Sequence, residues 1–391
     1  MAIALTGSGM GDTLTLAGAD SLLAVHNAAV RMARLEADAA TAQAEQARRW
    51  ENPEVSGLYN IYNPVNQRWF DAGSEGEVDI SLSQPLPIGG QHRWRVRQAE
   101  ATGRVAMAEA DLSLFSLRME LRRLWGKEQA SERRVALVGK ELESVERIVA
   151  AYRRQNASIS LVELRRLETL RLSLLAEQGE RQQALAEVRM RLALMLGMED
   201  IQVDTGALVV TDTNTVDVLR SLVLVPIERR MEASEAEVRL QSAQAWPQVA
   251  LTLEYDKNGN IGHNFWAAGA TVTLPLWDRN RGGVRAARLE HERQHLELQQ
   301  AERELQQAVA LGRARVEQCR TLCAEAEQLA QWSIEPAERQ YLERNISLLE
   351  LLDHYAAWRE AQELLADSQR RLVDAAVELN LAAGIEIIKI Q

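Results

Sequence analysis

The sequence predicts a mainly α-helical fold that also contains a membrane β-barrel, and three patterns lead to this prediction. Long stretches without proline carry apolar residues at spacings of three and four. Short segments alternate apolar with polar residues, and both patterns occur twice along the 391 residues. The first pattern is typical of coiled-coil helices and the second of strands with unlike faces. We therefore expect a duplicated unit in which a few strands lead into long helices.

The duplication is clearest in two similar segments, 152–164 (YRRQNASISLVEL) and 341–351 (YLERNISLLEL). Leu196-Gly197 is matched by Ala383-Gly384 at an offset of 187 positions. The first repeat, 1–200, is predicted to have an N-terminal helix at about 16–50, a strand hairpin at about 53–87 and a long helix pair at about 91–197. The second repeat, 201–391, is predicted to have a linker and helix, a hairpin at about 247–276 and a long helix pair at about 280–384.

The long helices are predicted from apolar residues that recur about once per helical turn. In the first repeat these are Leu117, Leu121, Leu124, Val135, Val138, Leu142, Val145, Val149 and Tyr152. In the second they are Leu305, Val309, Gly312, Val316, Cys319, Cys323, Ala326 and Ala330, then Leu351, Tyr355, Trp358, Leu365, Leu372, Ala376 and Leu379. A helix of about 60 residues is about 90 Å long and needs partners along its length. Pro336 is expected to kink or break the second outgoing helix, because proline has no amide donor.

Three segments, 78–83, 249–256 and 270–274, alternate in the manner of strands with one apolar face, and 55–62 is a weaker fourth candidate. Their polar positions hold Asp79, Ser81, Glu254, Asp256, Thr271 and Thr273. With their flanks these segments approach the roughly nine to eleven residues of a transmembrane β-strand. Nearby aromatic residues resemble an interfacial girdle: Trp50, Trp69, Phe70, Trp94, Trp246, Phe265, Trp266 and Trp277.

Four strands cannot close a barrel, and hydrocarbon does not tolerate an open sheet edge, so the membrane interpretation requires an oligomer. The alternative is a pair of water-soluble hairpins on a coiled-coil body. We favour the barrel because a hairpin leads into a long helix in both halves of the chain.

Composition and charge exclude several classes of protein. The chain has 45 basic against 56 acidic residues, a net charge of −11, whereas a nucleic-acid binder normally has a basic excess. No stretch reaches the roughly 18 consecutive apolar residues of a membrane-spanning helix. Residues 1–10 have neither a basic region nor a long apolar region, so no export signal is visible. The chain is then either cytoplasmic or a mature sequence behind a start methionine.

Several motifs resemble those of the TolC-like outer-membrane efflux channel family, and the resemblance covers nearly the whole chain. They are Asn52-Pro53, residues 83–90 (SQPLPIGG), residues 274–283 (LPLWDRNRGG) and residues 346–353 (ISLLELLD), of which the last is the most specific. The two hairpin motifs are most similar to the branch that exports cobalt, zinc, cadmium, copper or silver. If the chain belongs to this family, the missing export signal indicates a mature sequence.

The resemblance implies a homotrimer with a twelve-stranded outer-membrane barrel, four strands from each protomer, and a twelve-helix tunnel through the periplasm. It implies a passive duct, surrounded by outer-membrane lipid, that receives substrate from an inner-membrane pump of the RND type through a periplasmic adaptor. The adaptor would contact the helix tips at Asn156, Ala157, Arg344 and Asn345. The family usually has glycine where this chain has Ala157 and Arg344. Asparagine tolerates the left-handed conformation that such a turn needs.

Carboxylates near the second tip are the candidates for a pore constriction. Glu350 and Asp353 lie three residues apart, and Glu163 is the counterpart of Glu350 in the first repeat. In the resembled family, carboxylates here line the narrow periplasmic mouth, and threefold symmetry would make them rings that favour cations. The alternative is a solvated helix start. Inside the barrel, Asp79, Ser81, Glu254 and Asp256 would face the lumen.

Two motifs could carry metal chemistry. Residues 291–295 (HERQH) match the HExxH pattern of zinc proteases, but they lie in a highly charged helix without a third ligand, so we favour a chance match. Cys319 and Cys323 lie on an apolar seam, which favours packing over ligation of a soft metal. No catalytic residue, metal site or cofactor is predicted. Beside heavy-metal efflux, the open alternatives are a multidrug efflux or type I secretion duct of the same fold, a soluble coiled-coil scaffold and a zinc peptidase.

Overall fold

A computed structural model of the chain describes residues 14–63, 67–70, 76–154, 161–204, 208–212, 221–258 and 263–390. Asn156 and Ala157, predicted at the first helix tip, lie outside these residues. The chain divides into two compact units. The helical unit comprises Met1–Ala33, Ala110–Leu224 and Ala301–Gln391, and the sheet unit comprises Arg34–Glu109 and Val225–Gln300. Each unit therefore draws on both halves of the sequence.

The described elements are, in chain order, α1 (Leu16–His26), α2 (Ala28–Ala47), β1 (Glu54–Tyr59), β2 (Tyr62–Asn63), β3 (Arg68–Trp69), β4 (Glu77–Leu86), α3 (Gln91–Arg154), α4 (Leu161–Leu196), β5 (Val210–Asp212), α5 (Leu224–Ala243), β6 (Gln248–Asn258), β7 (His263–Thr273), α6 (Arg281–Leu329), α7 (Glu335–Leu342), α8 (Leu348–Ala383) and β8 (Ile388–Ile390). The predicted combination of long helices with a small sheet is confirmed. The duplication is visible in α4 and α8, which have 36 residues each. Gly197 and Gly384 follow these helices with φ of 69° and 64°, a left-handed conformation that glycine adopts without strain.

The sheet unit contains a four-stranded antiparallel sheet in the order β1-β4-β6-β7. Residues directly opposed across antiparallel strands lie on the same face of the sheet. Asp79 opposes Asp256, whereas Ile80 opposes Tyr255, which in turn opposes Trp266. One face is therefore polar and the other apolar, which confirms the predicted alternation. The weaker candidate at 55–62 forms β1 and the first residue of β2.

The helical unit has its core along the predicted seams. One cluster of buried residues packs around Val138, Val145, Leu351 and Tyr355, where α3 and α4 meet α7 and α8. A second packs Leu23 of α1 against Trp125 of α3 and Leu192 of α4. Complete burial of one such aliphatic side chain contributes about 1.5–3 kcal/mol, so these clusters supply the lateral partners that long helices need.

The N-terminal helix predicted at about 16–50 is instead two helices, α1 and α2, because Asn27 interrupts it. Asn27 has an extended ψ of 126°. Its side-chain oxygen accepts hydrogen bonds from the amides of Ala29 at 2.9 Å and Val30 at 3.2 Å, and so caps α2. Its side-chain nitrogen donates to the carbonyl oxygen of Met195 at 2.9 Å. The side chain thus replaces backbone hydrogen bonds that a continuous helix would have made.

The break expected at Pro336 is confirmed. Helix α6 ends at Leu329, and α7 begins at Glu335 with Pro336 in its first turn. Proline is tolerated there because the first amides of a helix have no intrahelical acceptor. The short helix α7 then leads to the second tip.

Candidate channel-lining face and helix tip

The polar face of the sheet gathers three acidic side chains near one end of β4 and β6. Glu77, Asp79 and Asp256 each offer a carboxylate oxygen, and these oxygens lie within 4.8 Å of one another. The Oδ1 atoms of Asp79 and Asp256 are buried without a hydrogen-bond partner. Negative charges at this separation repel one another and attract cations. Glu77 was not among the lumen residues predicted from the sequence, although its position two residues before Asp79 could have indicated it.

The other two predicted lumen residues continue this face. Ser81 opposes Glu254, and the Ser81 Oγ lies 2.7 Å from the Ser56 Oγ of β1. The structure thus places Asp79, Ser81, Glu254 and Asp256 on one face. The opposite face exposes a band of large apolar side chains: Val55, Ile80, Leu82, Leu251, Leu253, Trp266 and Val272. A continuous exposed apolar surface marks contact with lipid or with another protein.

Glu350 closes the N-terminus of α8. One of its oxygens, Oε2, accepts hydrogen bonds from the Ser347 amide at 2.7 Å and the Ser347 hydroxyl at 2.9 Å. The Ser347 Oγ in turn accepts from the Glu350 amide at 3.3 Å, which completes a capping box. The Ser347 amide, followed by the hydroxyl, holds the pKa of Glu350 below its usual range. Glu350 is therefore both a charged group and part of the helix cap.

Asp353 lies three residues later in α8 and is exposed like Glu350, while Leu348 and Leu351 point into the core. Glu163 lies in the first turn of α4 and is half-buried. No hydrogen bond or ion pair within the described part of the chain joins Glu163 to either of the other two carboxylates. The structure therefore places Glu350 and Asp353 on the exposed side of α8, with Glu163 at the start of a different helix.

The second tip turn places Arg344, rather than the neighbouring Asn345, in the left-handed conformation, with φ of 63°. The Asn345 amide donates to the Gln340 carbonyl oxygen at 2.8 Å, and the Arg344 amide donates to that of Tyr341 at 3.0 Å. These are the two hydrogen bonds of a Schellman motif, in which the residue after the helix end is usually glycine. The motif therefore assigns the left-handed position at this tip to Arg344 and not to Asn345.

A buried carboxylate ties α7 to α3 close to this tip. Both oxygens of Glu338 accept from Arg147, at 2.9 and 2.8 Å, and one also accepts from the Ser144 hydroxyl at 2.7 Å. The Ser144 hydroxyl lies 2.7 Å from the Tyr355 hydroxyl of α8. Burial alone would raise the pKa of Glu338, but these donors outweigh it and hold that pKa below its usual range. Burial raises the pKa of Tyr355 to about 12, so the phenol stays neutral.

A second network crosses the helical unit one turn further along α8. Arg359 donates to Glu141 of α3 at 2.8 Å and to Glu177 of α4 at 3.1 Å. The Glu141 side chain is only 2% exposed. Burial raises its pKa even though Arg359 is bound to it. Neither network was predicted from the sequence, although a glutamate and a serine within the apolar seam of α3 could have indicated them.

The HExxH residues lie in α6, within the sheet unit. The Nδ1 atom of His291 is 2.9 Å from the Ser234 hydroxyl of α5, and His295 is exposed. Arg293 pairs with Glu290 at 2.6 Å and with Glu297 at 3.2 Å. Cys323 is buried in the helical unit and Cys319 is half-buried. Burial raises the pKa of the Cys323 thiol, which disfavours the thiolate form that metals bind.

Comparison with known proteins identifies relatives of the chain among metal-resistance proteins. It is 27% identical over 266 residues to the nickel-cobalt-cadmium resistance protein NccC of Alcaligenes xylosoxydans xylosoxydans, which covers 64% of this chain and 58% of that protein. It is 25% identical over 267 residues to the nickel and cobalt resistance protein CnrC of Cupriavidus metallidurans, which covers 64% and 60%. The chain thus spans about three-fifths of the length of the curated relatives it matches.

Solved structures share the fold. The chain superposes on CusC with a TM-score of 0.73 at 18% identity, covering 95% of this chain and 92% of CusC. It superposes on the open MtrE outer membrane channel of Neisseria gonorrhoeae with a TM-score of 0.76 at 18% identity, covering 95% and 89%. Within the described residues, no helix has the length and apolar character to cross a membrane. A sequence profile matches residues 20–197 and 220–385, most of both repeats, and the chain therefore belongs to the outer membrane efflux protein family.

Proposed function

We propose that this chain is the outer-membrane exit duct of a tripartite system that exports heavy-metal cations. The observation that carries the proposal is the sheet, which has a polar face, an apolar face and two outer strands, β1 and β7. Unpaired strand edges are too costly in hydrocarbon, so β7 of one copy would pair with β1 of the next. Three copies then form a closed twelve-stranded barrel with its polar face towards the lumen. The energy for export would come from the pump.

Cation export is supported by charge as well as by the relatives. Asp79, Glu254 and Asp256 would place nine carboxylates inside a trimeric barrel, and Glu77 would add three. At the periplasmic mouth, Glu350, Asp353 and Glu163 would form the constriction. Rings of carboxylates favour cations in a narrow, partly desolvated pore. NccC and CnrC carry names that state resistance to nickel and cobalt.

The partners of the duct would be a periplasmic adaptor and an inner-membrane pump of the RND type. The adaptor would contact the helix tips at Asn156, Ala157, Arg344 and Asn345. At the second tip, exposed apolar side chains accompany Arg344 and Asn345: Leu342 and Leu349. An apolar surface of this kind favours docking of another helix tip.

The constriction is tested with Glu350→Gln/Asp353→Asn in planar bilayers. Glutamine preserves the capping box, so the variant removes two charges without removing the cap. We expect a severalfold loss of cation preference and weaker block by Co²⁺ added to the periplasmic side. The matched control is Glu325→Gln/Glu360→Gln, which removes one exposed charge from α6 and one from a later position in α8. Equal block in all three proteins would show that the tip carboxylates do not form the constriction.

The substrate class is tested in a strain that lacks its own metal exit duct but retains the matching pump and adaptor. Expression of the chain should restore growth in Ni²⁺, Co²⁺ or Cd²⁺ in the presence of the pump. Restored resistance to organic drugs without resistance to metals would favour the multidrug alternative. Purification as a soluble protein without detergent would favour the scaffold alternative and contradict the duct.

A further inference from the structure

The helix end of the sheet carries a concentration of arginine in an otherwise acidic chain. Four segments join the strands of the sheet to helices at this end, 46–53, 87–97, 239–247 and 274–285, and we name them the arginine collar. The collar contains nine arginines and no lysine, against only Glu51 and Asp278. By sequence, residues 60–76 between β1 and β4 and residues 259–262 between β6 and β7 contain one arginine against two acidic residues.

Most of these arginines have no acidic partner. Arg48 pairs with Glu100 at 2.7 Å and Arg95 pairs with Glu51 at 2.7 Å. The other seven are exposed and form no ion pair within the described residues: Arg49, Arg93, Arg97, Arg239, Arg279, Arg281 and Arg285. Each protomer therefore presents seven guanidinium groups without an ion pair around one end of its sheet.

Two of the unpaired guanidinium groups are held close together by one aromatic ring. The Cζ atoms of Arg93 and Arg97 lie 5.7 and 4.8 Å from the Trp94 ring centroid. Arg97, Arg104 and Arg239 line a cavity of about 360 Å³ beside Trp94. Of the acids that line this cavity, Glu100 pairs with Arg48, Glu232 pairs with Arg229 at 2.6 Å and with Arg104 at 3.7 Å, and Glu235 forms no ion pair within the described residues. Arg97 and Arg239 therefore keep unpaired donors at this cavity.

If the sheet spans the outer membrane as proposed, the surroundings of the collar lie at the depth of lipid headgroups. The apolar face of the sheet ends at the collar, where three tryptophans are exposed: Trp50 by 59%, Trp246 by 61% and Trp277 by 94%. Tryptophan concentrates at membrane–water interfaces because its ring is amphipathic. The guanidinium groups beside it are then at the level of phosphate groups, which their planar donor geometry matches.

We propose that the arginine collar binds the headgroups of anionic glycerophospholipids in the leaflet on the helix side of the barrel. The proposal rests on insertion of the sheet in the outer membrane, and it adds a lipid specificity that export itself does not require. A zwitterionic headgroup cancels its own phosphate charge, so selectivity should follow net headgroup charge. Clusters of four to eight basic residues beside a membrane segment recognise anionic lipids in this way.

The experiment compares binding of phosphatidylglycerol and phosphatidylcholine of equal chain length to the detergent-purified full-length protein by native mass spectrometry. We expect the wild-type protein to retain phosphatidylglycerol at least tenfold better. Arg93→Gln/Arg97→Gln should abolish a tenfold preference, because about fivefold for each arginine multiplies to about 25-fold. Higher ionic strength should weaken the wild-type preference. The matched control, Arg191→Gln/Arg313→Gln, removes two exposed, unpaired arginines from the helical unit and should behave as wild type.

Three results would overturn the proposal. The first is equal retention of the two lipids by the wild-type protein. The second is a collar variant that dissociates into protomers, while the fraction that stays oligomeric keeps its lipid preference. The arginines would then act by pairing across subunits rather than by binding lipid. The third is displacement of phosphatidylglycerol by lipopolysaccharide at equal concentration. If the variant fails to fold, the salt dependence of the lipid preference in the wild-type protein tests the proposal instead. Normal conductance without a lipid preference would reject lipid binding by the collar but leave the proposed duct function intact.

Discussion

The helical unit and the sheet unit treat buried or half-buried carboxylates in opposite ways. Glu128, Glu141 and Glu338 are buried in the helical unit, and each is bound by an arginine from another helix. Glu128 keeps one buried oxygen without a partner, but its other oxygen is bound by Arg189. In the sheet unit, Asp79 and Asp256 lie opposite each other with a buried, unpartnered oxygen on each, and neither forms an ion pair within the described residues. Desolvating a carboxylate is expensive unless a cation compensates it. Paired acids therefore fix helix positions, whereas the crowded acids of the sheet leave a negative field that the proposed lumen role would use.

The largest effect should follow from removing a cation of the helical unit. Arg359→Met leaves Glu141 buried without its partner, and we expect a loss of about 3 kcal/mol in the free energy of unfolding, because an uncompensated charge remains. Urea unfolding in detergent, followed by far-UV circular dichroism, measures it. The double variant Glu141→Gln/Arg359→Met should recover most of the loss. A double variant as unstable as Arg359→Met would mean that packing of the arginine, rather than charge, is responsible.

The loss of stability in Arg359→Met should depend on pH. Burial raises the folded-state pKa of Glu141 above its usual 4.5, so the charged form opposes folding. The contribution of Glu141 is most favourable below the unfolded pKa and is lost as pH rises through the raised folded pKa. Without Arg359 that pKa rises further, and the deficit of Arg359→Met should be smaller at about pH 5 than at about pH 7.5. A deficit that does not change with pH would contradict this account.

Removing charges from the sheet unit should change ion permeation rather than the free energy of unfolding. Asp79→Asn/Asp256→Asn removes two crowded charges while keeping similar side-chain shape, and we expect the cation-over-anion permeability ratio to fall severalfold. Stability should stay the same or rise, because repulsion is relieved. Reversal potentials in a salt gradient measure the ratio. The control is Glu54→Gln, on the same face but opposite Ser83, which should have a smaller effect. Strong destabilisation of the double variant would mean that these aspartates stabilise the fold, as the paired carboxylates of the helical unit do.

The two units also differ in how much of their structure the sequence could predict. Alternation along β4, β6 and β7 depends on neighbouring positions, so the polar face and its residues were predictable. The pairing of Glu338 with Arg147 joins residues 191 positions apart, and it depends on how α7 packs against α3. The break at Asn27 depends likewise on the Met195 carbonyl group of α4. A single sequence contains the residues of such contacts but no local pattern that connects them.

Substitution of Glu350 should have a smaller effect on stability. Its carboxylate both caps α8 by hydrogen bonds and carries an exposed charge at the tip. Glu350→Ala removes the cap and the charge, whereas Glu350→Gln removes the charge alone. We expect alanine to lower the free energy of unfolding by about 1 kcal/mol and glutamine by less than half of that. Both variants should alter cation block to the same degree in bilayers. If glutamine costs as much stability as alanine, the charge of Glu350 stabilises the start of α8 more than its hydrogen bonds do.

The smallest effect should come from the backbone of the second tip, where no charge is involved. Arg344 has φ of 63°, and a residue with a Cβ atom in this conformation is strained by about 1 kcal/mol or slightly more. Arg344→Gly removes the strain but gives the unfolded chain more freedom, so we expect a net gain of about 0.5 kcal/mol. Asn345→Gly should instead cost about that much, because Asn345 does not have a positive φ. Opposite signs in urea unfolding would confirm the Schellman assignment. Equal signs would mean that the turn shifts its left-handed residue, which would leave either position able to end α7.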